Sequence, residues 1–208
     1  MTNSTFTGIV LAGGQSRRFG SHKAFAKLHQ KYFYEYAIKA LAENVDSLYI
    51  VSHPDLKEQF EKQTPFQVVQ DVPEFQGCGP LAGMFTVMKK GEANWYVIIP
   101  CDTPFVTDDL VKQLMSFTND LSYDAIVPII YERKQPLIAV YHARVVTKIE
   151  RLLKKNFLKM SQLLEVCKVK YLTDQDLDLQ GMEFENINNQ TEFNKITQVP
   201  FPNIRKKD

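Results

Sequence analysis

Thr7-Gly8-Ile9-Val10-Leu11, followed at once by Ala12-Gly13-Gly14-Gln15-Ser16-Arg17-Arg18-Phe19-Gly20-Ser21-His22-Lys23, reads as a short buried strand feeding a glycine-rich, basic loop. Glycines without Cβ let backbone N–H groups turn toward an anion at close range. Arg17, Arg18 and Lys23 add cations suited to a polyphosphate, a forked guanidinium and a point-charge ammonium. A lone Gly-Gly is more simply a turn, but Arg18, Gly20 and Lys23 together shift the reading to a phosphate cradle. Gly20 is followed by Ser21-His22, so no Gly-Lys-Ser/Thr of a Walker loop exists. No G-x-G-x-x-G follows the strand, so this is not a dinucleotide fingerprint.

Outward from that strand, elements alternate. Phe33, Tyr36, Ala37, Ala40 and Leu41 recur at helical spacing. Leu48-Tyr49-Ile50-Val51 and Phe66-Gln67-Val68-Val69 read as strands, with a polar helix from Leu56 to Lys62 between them. Pro80 suits the first position of a helix running to Met88, where proline forfeits no needed N–H. Trp95-Tyr96-Val97-Ile98-Ile99 is the most apolar strand. Asp108-Asp109 then open a helix with the acidic first turn that the helix dipole favours. Ala125 to Pro128 and Pro136 to Tyr141 predict two more strands, with a helix from Val145 to Leu153. Beyond residue 156 the signals weaken, apart from Glu183-Phe184-Glu185-Asn186-Ile187-Asn188 and a helix starting near Thr191. Strands alternating with helices imply an α/β fold with a doubly wound, mainly parallel sheet. One domain is expected over residues 1–197, with 198–208 a polar tail.

Composition narrows the function classes. The 208 residues are 44% hydrophobic and 24% charged, ordinary for a folded domain able to bury its own core. The 25 basic residues are balanced by 24 acidic ones, which argues against a general nucleic-acid binder. No apolar run approaches ~18 residues and no secretion signal is evident, so no membrane role is expected. The three cysteines form no CxxC pair, which favours free thiols and a cytoplasmic setting. Cys101 has no histidine partner in sequence and reads as a small buried residue. The four histidines show no zinc-ligand spacing.

In a doubly wound sheet, ligands sit beyond the carboxyl ends of the strands. Besides the Gly13-Gly14 loop, three such ends stand out. Asp102, in Pro100-Cys101-Asp102-Thr103-Pro104, could hold Mg²⁺, which needs only one or two carboxylates plus substrate phosphates; a turn or cap role is an equal reading. Asp71, after Val69-Gln70, suits a second metal position, a ribose hydroxyl, a base edge or a turn. Gly77-Cys78-Gly79-Pro80-Leu81-Ala82-Gly83 leads into a helix whose N-terminus could face a ligand, or whose small residues serve close packing.

Leu11-Ala12-Gly13-Gly14-x-Ser16-x-Arg18-Phe19-Gly20-x-x-Lys23 resembles the signature loop of the nucleotidyltransferase superfamily. Gly79-Pro80-Leu81-Ala82-Gly83-Met84, Pro100-Cys101-Asp102-Thr103-Pro104 and Asn186-Ile187-Asn188 narrow the resemblance to the molybdenum cofactor guanylyltransferases, from about Thr7 to Phe193. The resemblance implies transfer of GMP from GTP to a molybdopterin-type cofactor, with Mg²⁺ as the metal. Leu11, Ala12, Gly13 and Gly14 would then line the nucleotide site, with Lys23 on the phosphates, Asp71 on the nucleotide and Asp102 on Mg²⁺ and GTP. Lys23, Arg18 and Asp102 would carry catalysis. Asn186, Asn188 and the strand from Pro136 to Ala139 would lie toward the pterin, and transient contact with proteins that deliver or accept the cofactor is a further expectation. Ser52 stands where some relatives carry asparagine. The alternatives are a CTP-dependent transferase of the same fold and a GTP-binding partner without turnover.

Overall fold

The structure is a computed structural model that describes residues 4–14, 22–179 and 181–187. The expected helix near Thr191 and the tail 198–208 lie outside the described residues, as do Arg17, Arg18, Gly20 and Asn188.

In chain order the strands are β1 (Phe6–Ala12), β2 (Lys27–Leu28), β3 (Lys31–Tyr32), β4 (Ser47–Ser52), β5 (Gln67–Val69), β6 (Trp95–Pro100), β7 (Ala125–Ile130), β8 (Arg133–Lys134), β9 (Ala139–His142) and β10 (Val169–Leu172). The α-helices are α1 (Phe33–Ala42), α2 (Lys57–Gln63), α3 (Pro80–Met88), α4 (Asp108–Ser116), α5 (Val146–Lys154) and α6 (Met160–Val166). The main sheet runs β10-β7-β9-β6-β1-β4-β5, with β8 paired to β7. Within it β9 alone of the seven runs antiparallel, between β6 and β7. The chain leaves β1 toward β4 and β5, then returns to β6 on the other side of β1. That reversal is the topological switch point, where a doubly wound sheet opens a crevice.

Side chains two apart on a strand share a face, and this chain uses both faces. Val10, Ile50, Val97, Ile99 and Val140 pack into one core with α1, α2 and α4. Ile9, Tyr49, Val51, Tyr96, Ile98 and Ala139 pack into the other with α3, α5 and α6. A strand covered on both faces needs an unbroken apolar run, which is why Trp95-Tyr96-Val97-Ile98-Ile99 stands out in sequence.

Local signals set the helix starts. At α1 the Glu35 carboxylate accepts the Tyr32 N–H at 2.6 Å. At α4 the Thr107 hydroxyl accepts the Leu110 N–H at 3.1 Å, with Asp108 and Asp109 in the first turn. At α3, Gly79 takes a left-handed φ of 77° before Pro80, a conformation that glycine alone adopts without strain.

One expectation needs correction, and several elements gave no readable signal. Pro136 to Tyr141 is not one strand: β9 begins only at Ala139, and residues before it form a turn in which the Tyr141 hydroxyl donates to the Pro136 carbonyl at 2.7 Å. The weak region after residue 156 holds α6 and β10, an edge strand whose Val169-Lys170-Tyr171-Leu172 lacks the apolar run of an interior strand. The short hairpin β2–β3 and strand β8 carry too few residues to register as periodicity.

Candidate active site

The carboxyl ends of four parallel strands build one cleft. Register places Leu11 level with Val51 of β4 and Pro100 of β6, so the residues just beyond them share one rim. That rim opens into a cleft of about 740 Å³, within the size range of small-molecule sites. Its wall contains Leu11, Ala12, Gly13 and Gly14 after β1, Ser52 and His53 after β4, Asp71 after β5, and Cys101 and Asp102 after β6. Lys23 and His22 reach it from the short turn at Lys23–Phe25, and Leu137 from the turn before β9.

Backbone bonds hold the switch point rigid. The Cys101 N–H donates to the Leu11 carbonyl at 3.0 Å, closing β6 onto β1 one residue past the strand. The Ile187 N–H donates to the Asp102 carbonyl at 3.0 Å, while the Ile187 side chain is buried with Leu28, Phe33 and Phe105. Asp102 therefore has a fixed backbone and a carboxylate that faces the cleft. Its Oδ2 lies 3.1 Å from Lys23 Nζ, with the side chains 25% and 14% exposed. The two residues singled out for metal and phosphate thus meet across the crevice.

Asp71 is anchored differently. Its Oδ2 accepts the Gly77 N–H at 3.0 Å, a bond that Gly77 supports with a left-handed φ of 76°. Next to it the Val72 N–H donates to the Thr86 hydroxyl at 3.0 Å, tying the loop to α3. The turn reading of Asp71 therefore holds, and the carboxylate also lines the cleft. Burial pushes the Asp71 carboxyl up from the ordinary carboxylate range, against the opposing pull of the Gly77 N–H and of His53.

Close packing at Gly83 brings α3 over the ends of β1 and β4. A Cβ there would come within 3.0 Å of Leu11 Cδ2 and of Val51 Cγ1. The N-terminus of α3 then opens toward the cleft, where a helix favours an anion. The close-packing reading of the Gly77–Gly83 segment is met, and the same arrangement leaves Gly79 and Pro80 on the cleft wall.

Cys101 is buried, and that burial beside Asp102 pushes its thiol far above the ordinary range, which leaves it unreactive as a nucleophile. Asn186 is exposed in the segment that precedes the Ile187–Asp102 bond, close in sequence to the rim but not part of the cleft wall. Arg18 and Asn188 lie outside the described residues.

The histidines are what sequence reasoning missed. His22 and His53 both line the cleft, with ring centroids 5.9 Å apart. Among the described residues His22 Nδ1 is buried without a hydrogen-bond partner, while His53 Nδ1 accepts the Asp55 N–H at 3.4 Å. Searching histidines for zinc spacing overlooks them. The usable signal was position, one residue past β4 and one before Lys23.

For a divalent cation the cleft supplies the oxygen of Asp102 beside space for phosphates. Among the described residues, no group of three or more His, Cys, Asp or Glu side chains gathers as a ligand set. One carboxylate with waters and substrate oxygens is the way Mg²⁺ is commonly held, so the residues fit that ion.

Comparison with known proteins gives the family and agrees with the fold. The profile of the MobA-like NTP transferase domain matches residues 8–170. The "Probable molybdenum cofactor guanylyltransferase" of Geobacillus sp. (strain WCH70) is 43% identical over 189 residues, covering 91% of this chain and 96% of its own. The protein of the same name from Bacillus cereus (strain AH820) is 43% identical over 190 residues, covering 91% and 94%. The crystal structure of molybdopterin-guanine dinucleotide biosynthesis protein A from Archaeoglobus fulgidus superposes with a TM-score of 0.80 at 22% identity, covering 92% of this chain and 96% of that one. At that identity the likeness bears on the fold.

Proposed function

The chain belongs to the MobA-like NTP transferase family, alongside the molybdenum cofactor guanylyltransferases, and from that premise we propose that it transfers GMP from GTP to a molybdopterin-type cofactor. The observation that carries the reading is the meeting of Lys23 and Asp102 at 3.1 Å over the Leu11–Gly14 floor of the cleft.

A terminal phosphate oxygen of the pterin attacks the α-phosphorus of GTP in line. A new phosphoanhydride bond forms, the bond between the α-phosphorus and its bridging oxygen breaks, and pyrophosphate leaves with that electron pair. No covalent enzyme nucleophile is needed, and positioning with charge neutralisation supplies most of the catalysis. The Gly13-Gly14 backbone and Lys23 bind and orient the phosphate chain, with Arg18 assigned to the same task at the leaving group. Asp102 is the residue that would hold Mg²⁺, which when bound supplies charge stabilisation at the phosphate oxygens. Asp71, with its carboxylate braced by Gly77, faces the nucleoside part of the cleft. Asn186 and Asn188 are assigned to the pterin side; for Asn186 the support is its place next to Ile187, which is tied to the Asp102 loop.

Mass spectrometry of the product after incubation with GTP, Mg²⁺ and the molybdenum–molybdopterin cofactor tests the reaction. A guanylylated pterin is expected, together with pyrophosphate release that is greatest with GTP among the four triphosphates. Release with CTP instead would move the chain to another transferase activity on the same fold. Tight GTP binding without product would make it a binding partner.

A further inference from the structure

The ion pair at the centre of the cleft constrains the order in which ligands can arrive. Lys23 Nζ already holds Asp102 Oδ2 at 3.1 Å, and both side chains are largely shielded from water. A cation on that carboxylate would be disfavoured while the ammonium stays there, because two positive charges would compete for one carboxylate in a partly desolvated site. Mg²⁺ also gives up its waters reluctantly, so a single carboxylate is a poor reward for displacing the lysine.

Both backbones are pinned. The Asp102 carbonyl accepts the Ile187 N–H and the preceding Cys101 N–H is bonded to Leu11. The Lys23 carbonyl accepts the Ala26 N–H at 3.0 Å, and Ala24 next to it is buried. Any exchange of partners is therefore a movement of side chains alone. The lysine stem is long and rotatable enough to make it. A phosphate chain on the Gly13-Gly14 loop offers the ammonium a second anion within the same cleft.

We propose that Lys23 is a specificity-determining residue that keeps free divalent metal off Asp102 and admits it only with a nucleotide's phosphates. The inference rests on the reading of Asp102 as the metal's carboxylate given above. In this view Lys23 gives up its contact with Asp102 for the phosphates once they arrive. The exchange leaves Asp102 to the metal. Selection of the metal–nucleotide complex over the bare ion then follows from one side chain.

Mn²⁺ is the probe, its free concentration read by electron paramagnetic resonance in titrations of the full chain without nucleotide. Wild type is expected to bind it weakly. Lys23→Met should bind it at least ~10-fold more tightly, the scale of one charge-assisted contact removed. Lys23→Arg keeps the charge and should stay as weak as wild type, and circular dichroism checks that each variant is folded. Unchanged or weaker Mn²⁺ binding by folded Lys23→Met overturns the proposal, as does tight binding by Lys23→Arg. The double variant Lys23→Met/Asp102→Asn separates the two readings. If it binds Mn²⁺ as tightly as Lys23→Met, the ion does not sit on Asp102, and it is the metal assignment itself that fails.

Discussion

Ile187 donates its backbone N–H to the carbonyl of Asp102 at 3.0 Å, so a residue near the end of the described chain fixes the loop that carries the cleft's central carboxylate. Its side chain is buried against Leu28, Phe33 and Phe105, which belong to the β2–β3 hairpin, the start of α1 and the loop after β6. One residue thus joins three parts of the molecule that border the site.

Removing that side chain should loosen the joint. Ile187→Ala is expected to cost about 3 kcal/mol of stability, the scale for emptying a buried aliphatic site. Urea denaturation measures it. Ile187→Val should cost about 1 kcal/mol, and a loss as large as alanine's would point to something other than a cavity.

Asp102→Ala should keep the fold and lose at least ~10²-fold in turnover, the scale for one preorganised electrostatic group. Its backbone partner, the Ile187 N–H, and the neighbouring bond from the Thr103 hydroxyl to the Pro100 carbonyl do not depend on the carboxylate. Near-normal turnover with an unchanged circular dichroism spectrum would remove Asp102 from the mechanism.

At Gly83 the added methyl of alanine meets Leu11 and Val51 side chains at 3.0 Å. Alanine's helix preference gains about 1 kcal/mol, while overpacking costs about 1–3 kcal/mol. A modest net loss of stability is expected. The larger effect should fall on GTP, because Leu11 must shift and it lines the cleft: KM for GTP is expected to rise severalfold. An unchanged KM would show that Leu11 yields without disturbing the site.

Away from the site, Asp124 joins the antiparallel part of the sheet to α5. Its carboxylate accepts from Lys148 Nζ and from the Lys168 N–H, each at 2.8 Å, and Arg144 lies 3.5 Å away. Burial alone would raise its pKa, but these donors and cations outweigh burial and hold the carboxyl below the ordinary range. A depressed carboxyl stabilises the fold above its unfolded pKa of about 3.9 and loses that contribution as pH falls through the lower folded value. Asp124→Asn should therefore cost about 3 kcal/mol at neutral pH. The gap to wild type should close progressively below pH of about 4. Urea midpoints taken across that range check both, and a gap independent of pH would mean that charge is not the cause.

Much of the architecture was legible because it depends on neighbours in sequence. The run from Trp95 to Ile99 read as the most apolar strand, Asp108-Asp109 as the acidic first turn of a helix and Pro80 as the first residue of another. Lys23, Asp102 and the Gly13-Gly14 loop were singled out one by one for their chemistry. The edge strand β10 and the short pieces β2, β3 and β8 were not legible, since an edge strand needs no apolar run and two residues have no period. His22 and His53 escaped for another reason. Nothing local links them; they become neighbours only when β4 and the turn at Lys23 reach the same rim.

The glycine-rich loop, the alternation of strands and helices, and the candidate residues were therefore determined by sequence alone, because backbone freedom, periodicity and charge are properties of short segments. Only the tertiary structure decided that Lys23 meets Asp102, that Asp71 is braced by Gly77, and that Ile187 returns to the Asp102 carbonyl. Two of those pairings, Lys23 with Asp102 and Ile187 with Asp102, join residues far apart in the chain. Their distances are set by strand order and by how closely α3 can lie on β1 and β4, which no local pattern records.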